Sequence, residues 1–168
     1  MTPSETFESE LTQLLPRLRR FAFALSRNGA DADDLAQATI ERALRSRDQW
    51  QPGSRLDSWL YRIMRNLWID TVRSRGRREK HEAPEDAAQD VGEDPREAMD
   101  ASMELQRAMS AMERLPDEQR EVVALILIEG FGYREVSEML ELPIGTVSSR
   151  LVRGRTALLE MLGGNADG

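Results

Sequence analysis

The sequence predicts an all-α protein: two small helical domains joined by a flexible acidic linker. Apolar residues recur at helical spacing through most of the chain, and no segment shows the alternation of a half-buried strand. A proline-containing acidic stretch interrupts this pattern near the middle. Close to the C-terminus, a short helix, a tight turn and a basic helix follow the plan of a helix-turn-helix. The predicted domains span residues 1–80 and 94–168, and the linker spans residues 81–93.

In the first domain, large apolar residues at helical spacing predict one helix before the Asn28-Gly29 stop. Asp31 is expected to cap the next helix, which should run to about Arg45. Pro52-Gly53-Ser54 breaks the chain, and a third helix is expected from Leu56 to about Arg75. The apolar residues of the first helix are Leu11, Leu14, Leu15, Leu18, Phe21, Ala22 and Leu25.

The third helix is expected to have one apolar and one basic face, with Gly76 loosening its end. Tryptophan beside arginine suits single-stranded nucleic acid, because rings stack on bases while guanidinium groups follow phosphates. Two alternatives remain: the basic face is merely solvated, or the tryptophans anchor the core. For Trp59 we favour the role of core anchor. The inward stripe is Leu56, Leu60, Ile63, Met64 and Leu67; Arg62, Arg65 and Arg73 share another face; Trp59, Tyr61 and Trp68 lie along the flanks.

The second domain is expected to begin at Asp94-Pro95, a helix cap followed by proline at the first helical position. The methionines of this helix, among them Met103, Met109 and Met112, are expected to fill the core. Pro116 opens another helix, whose apolar run Val122–Ile128 predicts a central position that ends at Gly130.

The helix-turn-helix consists of a helix from Tyr133 to Leu140, a turn around Glu141 to Pro143 and a helix that starts near Gly145. Hydroxyl side chains permit close approach to DNA, and arginine pairs with guanine edges or phosphates. The alternative is an amphipathic surface helix with solvated arginines. On the last helix, Val147, Leu151, Leu158 and Leu162 are expected to face inward, and Thr146, Ser149, Arg153 and Thr156 outward.

Composition limits the possible functions. The chain has 168 residues, an ordinary apolar fraction of 40%, no cysteine and a single histidine, His81. These counts exclude disulfides and zinc–thiolate sites, and they weaken any metalloenzyme reading. No apolar run reaches the roughly 18 residues of a membrane span, and the acidic N-terminus lacks a signal-peptide pattern. These observations fit a cytoplasmic protein without membrane insertion, and none of them points to a cofactor, a metal or a catalytic residue.

The net charge of −7 hides a basic first half. Residues 1–82 hold 15 Lys and Arg against 12 Asp and Glu, whereas residues 83–113 hold 2 against 9 and residues 114–168 hold 6 against 9. A local basic surface can meet DNA although the total is acidic. A chain with this balance is expected to bind DNA poorly alone, so we expect a partner that supplies much of the affinity.

Four segments in order resemble the motifs of group IV, or extracytoplasmic-function, RNA polymerase sigma factors. They are similar to the polymerase-binding helix, the promoter-melting helix, the start of the second domain's core and the upstream recognition helix of that family. The segments are Asp31–Leu44, Asp57–Arg73, Leu115–Val123 and Gly145–Arg155. The resemblance covers nearly the whole chain, and it implies core RNA polymerase, promoter DNA and an anti-sigma factor as partners.

The resemblance also implies roles for individual residues. The residues implied to bind polymerase are Asp33, Asp34, Gln37 and Glu41. Those implied to contact the −10 element are Arg62, Arg65, Asn66, Trp68 and Arg73, and the loop Asp48–Ser58 is implied to hold a flipped-out base. Those implied to contact the −35 element are Arg134, Thr146, Ser149, Arg150 and Arg153. The chain departs from the family pattern at Ala38, where an acidic residue is frequent, and at Met64, where alanine is frequent.

Two other functions compete with a sigma factor that directs transcription initiation. One is a sigma-like decoy that sequesters an anti-sigma factor, against which the basic third helix argues because a decoy needs no DNA contacts. The other is a metal-dependent enzyme, whose only candidate ligands lie in the predicted linker and lack fixed geometry. Those acids are Glu85, Asp86, Asp90, Glu93 and Asp94.

Overall fold

The computed structural model describes residues 2–81 and 102–163, which form seven α-helices and no β-strand. Contacts between Cα atoms divide the chain into two compact units, residues 1–92 and 93–168. The all-α prediction is confirmed. The predicted linker, from residue 82 onward, and the expected helix start at Asp94 lie outside the described residues.

Unit 1 is built from three helices that pack pairwise: α1, Pro3–Ser26; α2, Gly29–Arg45; and α3, Leu56–His81. A short 3-10 turn, Arg47–Gln49, follows α2. Each helix contributes one apolar face to a shared core, which stabilises the unit by removing those side chains from water. The core residues include Phe7, Leu11, Leu18, Phe21, Leu25, Leu35, Ala36, Ala43, Leu56, Leu60, Tyr61 and Met64.

Capping interactions fix the starts of α1 and α2, and the cap of α2 is not the expected one. Helix α1 begins at Pro3 because Thr2 and Glu5 form a reciprocal capping box, with hydrogen bonds of 2.9 and 3.2 Å. Asn28, not Asp31, caps α2: its Oδ1 accepts from the Asp31 backbone N–H at 3.1 Å. The expected cap was wrong because Arg27 already leaves α1 with φ 57°, which puts Asn28 in the capping position.

Helix α3 begins where the sequence predicts and runs further. The chain breaks at Gly53, whose φ of 91° is accessible mainly to glycine, and α3 starts at Leu56. The helix passes through Gly76 without interruption and continues to His81. The expected loosening at Gly76 is therefore not observed in the backbone.

Unit 2 contains α4, Met103–Arg114; α5, Asp117–Val123; α6, Tyr133–Leu140; and α7, Ile144–Gly163. Ser102 caps α4 by accepting from the Leu105 backbone N–H at 3.2 Å. Helix α7 packs against α4, α5 and α6, so it is the central element of this unit. The core residues include Ala111, Leu115, Val122, Val123, Leu125, Phe131, Val136, Met139, Leu140, Val147 and Leu151.

The apolar run at the end of α5 is buried only in its first half. Helix α5 continues as a π-helical turn over Ala124–Ile128, and Leu127 and Ile128 remain 52% and 45% exposed. Seven consecutive helical residues point to every side of the helix, so a helix packed on one side cannot bury them all. Gly130, with φ 80°, ends the segment as predicted. Met103 and Met109 are also exposed, so their prediction as core residues was wrong.

Candidate nucleic-acid interface

An acidic stripe runs along the exposed side of α2. Asp33, Gln37 and Glu41 are spaced four residues apart and therefore share one face, with Asp34 beside them; all four side chains are exposed. The Gln37 amide donates to Glu41 Oε1 at 3.5 Å. The opposite side of α2 carries buried residues such as Leu35 and Thr39. The packing of α2 thus brings the four predicted polymerase-binding residues together on one surface.

A bidentate ion pair joins the start of α2 to the second half of α3. Arg75 donates to Asp31 Oδ1 at 2.7 Å and to Oδ2 at 2.9 Å. These hydrogen bonds hold the pKa of Asp31 below its ordinary value and raise the pKa of Arg75. The Arg75 guanidinium also lies 5.7 Å from the centroid of the Trp68 ring. Trp68, predicted to stack on bases, is therefore half-buried beside an arginine that α2 holds in place.

The basic face of α3 lies where the sequence predicts it. Arg62, Asn66 and Arg73 are exposed, and Arg65 is half-buried. Because these positions are separated by three, four and eleven residues from Arg62, the helix presents them on one side. This face supplies guanidinium and amide donors to a solvent-facing surface of unit 1.

The aromatic residues of α3 divide differently from the prediction. Tyr61 is buried, with its ring 4.8 Å from that of Phe21, so its expected position on the flank was wrong. Trp59 is half-buried and meets Phe7 edge to face at 6.3 Å between centroids, which agrees with a core anchor. The side of α3 that carries Tyr61 packs on α1, and this contact buries a residue whose polarity alone suggests a flank.

A small pocket of about 220 Å³ lies between the end of α2, the 3-10 turn and α3. It combines an indole wall with guanidinium, amide and carboxylate groups, the chemical types that stack on an unpaired base and bond to its edges. Gln49 belongs to the loop Asp48–Ser58 that is implied to hold a base. Arg42 and Asp70 were not predicted, although Trp59, Ile63, Asn66 and Asp70 follow helical spacing. The lining residues are Arg42, Ser46, Gln49, Trp59, Ile63, Asn66, Leu67 and Asp70.

In unit 2 the helix-turn-helix forms with the predicted boundaries. Helix α6 ends at Leu140. The following residue, Glu141, has φ 55° and turns the chain, and the Leu142 backbone N–H donates to Ser137 O at 3.1 Å. The Thr146 and Val147 backbone N–H groups both donate to Pro143 O, at 2.9 and 3.2 Å, which starts α7. The turn is therefore fixed by backbone hydrogen bonds on both sides.

Helix α7 buries one face and presents the other. Val147, Leu151 and Gly154 are buried, whereas Arg153 and Thr156 are exposed as predicted. Leu162, expected inward, is 37% exposed because the inward stripe loses cover towards the end of the helix.

The remaining predicted DNA-binding residues of unit 2 differ in exposure. Arg134 is exposed in the first turn of α6, while Thr146 and Ser149 are half-buried. Arg150 is 22% exposed and pairs with Glu118 of α5 at 3.7 Å, so its guanidinium lies at the edge of the exposed face. Arg153 is thus the predicted arginine of α7 that projects furthest from the core.

Arg120 is a buried cation that the sequence reasoning missed. Its side chain is almost fully covered, Nη1 donates to Leu115 O at 2.7 Å, and Nη2 pairs with Asp117 Oδ1 at 2.5 Å. These bonds fasten the first turn of α5 to the preceding chain, and a buried guanidinium requires such partners. Its spacing from Asp117, three residues along a helix, is the signal that was available.

Across residues 2–81 and 102–163, no three acidic or histidine side chains gather as a metal site. The acids considered for a metal-dependent enzyme lie outside these residues. None of the helices described is sufficiently long and apolar to cross a membrane.

Comparisons with known proteins agree with this arrangement. Residues 11–78 match Sigma-70 region 2, and residues 105–158 match Sigma-70 region 4. The chain is 36% identical to the ECF RNA polymerase sigma factor EcfG of Rhodopseudomonas palustris, over 96% of this chain and 88% of that protein. It is 31% identical to the RNA polymerase sigma factor CarQ of Myxococcus xanthus, over 95% and 90%.

A solved structure is similar over the same extent. The sigma factor RpoE of Bartonella quintana, in complex with the anti-sigma factor NepR, matches with a TM-score of 0.78 and 33% identity, over 95% of this chain and 98% of that one. Both family regions occur in the order of the two structural units. The chain therefore belongs to the extracytoplasmic-function group of the sigma-70 family.

Proposed function

We propose that this sigma factor works in the cytoplasm by three separate surfaces: α2 binds core RNA polymerase, α3 opens the −10 element, and α7 reads the −35 element. The observation that carries the proposal is the placement, within unit 1, of an exposed acidic stripe on α2 and an exposed arginine face on α3. Sigma factors direct promoter recognition and transcription initiation and are not enzymes. The chain performs no bond chemistry in this scheme.

The polymerase surface consists of Asp33, Asp34, Gln37 and Glu41. An acidic stripe is complementary to a basic partner surface, which steers association and fixes its register. Changing Asp34 and Gln37 to alanine should weaken binding to core polymerase in a titration and leave the helical circular dichroism unchanged. The matched control is the pair Glu10→Ala and Gln13→Ala on α1, which removes the same two functional groups elsewhere. Equal affinity of both double variants would contradict the assignment.

The −10 surface consists of Arg62, Arg65, Asn66, Trp68 and Arg73. Unstacking a base costs roughly a few kcal/mol, so strand opening needs new contacts to the exposed bases. Arginine and asparagine donors supply such contacts, and indole or guanidinium planes supply stacking. The pocket beside Asn66 and Trp59 supports this proposal, because its groups suit one unstacked base.

Strand opening is tested by replacing Arg62, Arg65 and Asn66 with alanine. Polymerase binding should stay near normal, while abortive transcription on duplex DNA should fall and a premelted template should restore much of it. Arg19→Ala with Arg45→Ala, on exposed positions of α1 and α2, is the control for lost positive charge. Equal activity of the triple variant and the parent on duplex DNA would remove α3 from the mechanism. Transcription by the parent itself separates a sigma factor from a decoy.

The −35 surface consists of Arg134, Thr146, Ser149, Arg150 and Arg153. The second helix of a helix-turn-helix enters the major groove, where its exposed side chains reach base edges. Thr146 and Ser149 have short, half-buried hydroxyl side chains, which allow α7 to approach DNA closely. Arg153 is exposed and provides one long hydrogen-bond donor.

An anti-sigma factor is proposed as the inhibitory partner. The similar RpoE structure contains such a protein, NepR, and a second similar structure, that of CnrH, contains the cytosolic domain of CnrY. A purified candidate should compete with core polymerase for the parent chain. An inhibitor that binds the chain without affecting polymerase association would contradict a competitive mechanism.

A further inference from the structure

The first two turns of α1 hold the 3-10 turn that follows α2. Arg47 Nη1 donates to Ser4 Oγ at 2.6 Å, and Nη2 donates to Glu8 Oε1 at 3.1 Å. The guanidinium carbon also lies 4.9 Å from the centroid of the Phe7 ring. A partly exposed ion pair and a cation–π contact therefore fasten this turn to one face of α1. Ser4, Phe7 and Glu8 precede the residues that match Sigma-70 region 2.

Phe7 also contacts both ends of the loop between the turn and α3. Its buried ring lies 5.5 Å from the ring of Trp50, just after the turn, and 6.3 Å from that of Trp59, in the first turns of α3. Aromatic pairs attract at such separations. Within the described residues, Arg47 Nε and Trp50 Nε1 are buried without a hydrogen-bond partner. The cluster is thus held by ring packing and by the outer guanidinium nitrogens.

Between these anchors the loop presents a tight turn to solvent. Residues 51–55 are exposed, and the Ser54 backbone N–H and Oγ both donate to Gln51 O, at 3.1 and 2.6 Å. Gly53 has φ 91°, which the turn requires. The shape of the tip depends on its own hydrogen bonds, whereas its position on unit 1 depends on the contacts with α1.

We propose that Arg47, through Ser4, Glu8 and Phe7, is a positioning residue for base capture by the loop 48–58. This inference rests on the proposed opening of the −10 element, together with the role that the family resemblance implies for this loop, which is to hold an unstacked base. Ordering a loop during binding consumes part of the interaction free energy, and unstacking consumes more. Because both ends of the loop are anchored before DNA binds, a smaller free-energy cost of ordering the loop remains when the strand opens.

The test uses full-length variants in the polymerase holoenzyme, on a promoter that the parent holoenzyme selects from randomised DNA. Dissociation constants are measured for non-template −10 oligonucleotides, intact and with one abasic site at each position. The captured base is the one whose removal weakens oligonucleotide binding by the parent most. The discrimination ratio is the dissociation constant of that abasic oligonucleotide divided by the dissociation constant of the intact one. Arg47→Ala should reduce that discrimination ratio about fivefold, the effect expected for losing a partly exposed ion pair and a cation–π contact together. Arg47→Lys should retain part of the ratio.

Two matched controls separate positioning from general damage. Arg45→Ala removes the same side chain from an exposed site two residues earlier, and it should keep the parental ratio. Glu8→Gln should lower the ratio, whereas Glu10→Gln, with the same charge change, should not. The polymerase affinity of the Arg47 and Glu8 variants should match that of the parent. Their melting temperatures should fall by only a few degrees, because the same contacts contribute modestly to the stability of unit 1.

Each outcome decides the inference. An unchanged ratio in Arg47→Ala, with normal discrimination by the parent, overturns the positioning role alone. A lower ratio accompanied by an equal loss of polymerase affinity assigns Arg47 a purely structural role and also overturns it. If the parent discriminates at no position, the proposed −10 function fails, and this inference fails with it.

Discussion

At the scale of single residues, Asp57 shows how one carboxylate fixes the start of α3. Its side chain is only 11% exposed, and it pairs with Arg17 at 3.2 Å and Arg55 at 2.9 Å. The Ser58 backbone N–H donates to it at 2.8 Å, in the first turn of α3. Burial raises the pKa of Asp57, but the hydrogen bonds and charges of these groups outweigh it, so the pKa lies below its ordinary value.

Asp57→Asn should lower the free energy of unfolding of unit 1 by about 1–3 kcal/mol at pH 7, because the charged hydrogen bonds are lost. A carboxyl whose pKa is depressed in the folded state stabilises above its unfolded pKa, about 3.9. That contribution is lost as pH falls through the folded pKa. The difference between parent and variant should therefore shrink below about pH 4 in urea titrations. Asp48→Asn, at an exposed site, should leave the free energy of unfolding unchanged both at pH 7 and below about pH 4. A difference between the parent and Asp57→Asn that does not vary with pH would contradict this account.

Arg153 is the residue-scale test of sequence recognition. Arg153→Ala should cost about 1–3 kcal/mol of holoenzyme affinity for a −35 element and relax the preference at one position, if the guanidinium pairs with a base edge. A phosphate contact would instead weaken all sequences alike and lower the salt slope by about one. Arg114→Ala, an exposed arginine of α4, serves as the control. No change in affinity or salt slope would exclude both modes.

At the scale of elements, the closeness of α5 and α7 depends on Gly154. A Cβ atom built there would lie 2.7 Å from Val123 Cγ2 and 3.3 Å from Gln119 Cβ, so the two helices would have to separate. Such overpacking costs typically about 1–3 kcal/mol. Helix α7 also presents Arg153, and its displacement should therefore affect both stability and recognition.

Gly154→Ala should lower the unfolding free energy of unit 2 by about 1–3 kcal/mol and weaken −35 binding. Gly163→Ala is the matched control, because its Cβ would meet nothing within 4 Å. Urea unfolding and promoter affinity are the two measurements. A stable Gly154→Ala variant with parental affinity would show that the close approach of these helices is not required.

How far the elements could be predicted depends on whether their causes are local. The boundaries of α6 and the end of α2 at Arg45 were predicted because periodicity and turn residues act within a few positions. Tyr61 and Leu127 were misplaced because their burial depends on which neighbouring helix covers them. The same reason explains the site: Arg75 meets Asp31 from 44 residues away, a pairing that no local pattern shows.

At the scale of the whole molecule, each of the two units has its own core. Residues 1–92 and 93–168, produced as separate fragments, should each give a helical circular dichroism spectrum and a cooperative thermal transition. The second fragment should melt at the lower temperature, since fewer described residues build its core and small domains bury a smaller fraction of their surface. A fragment that folds only when the other is added would contradict independent units.

The charge pattern of unit 1 has a consequence for how the protein searches. Chromosomal DNA offers a vast excess of unspecific phosphate sites, and a purely basic helix would spend most of its time on them. The acidic stripe of α2 belongs to the same unit as the arginine face of α3, so that unit carries little excess charge with which to hold a bare duplex. Molecules not bound to polymerase would consequently diffuse freely and meet core polymerase in solution. The chromosome would then be scanned by the assembled complex.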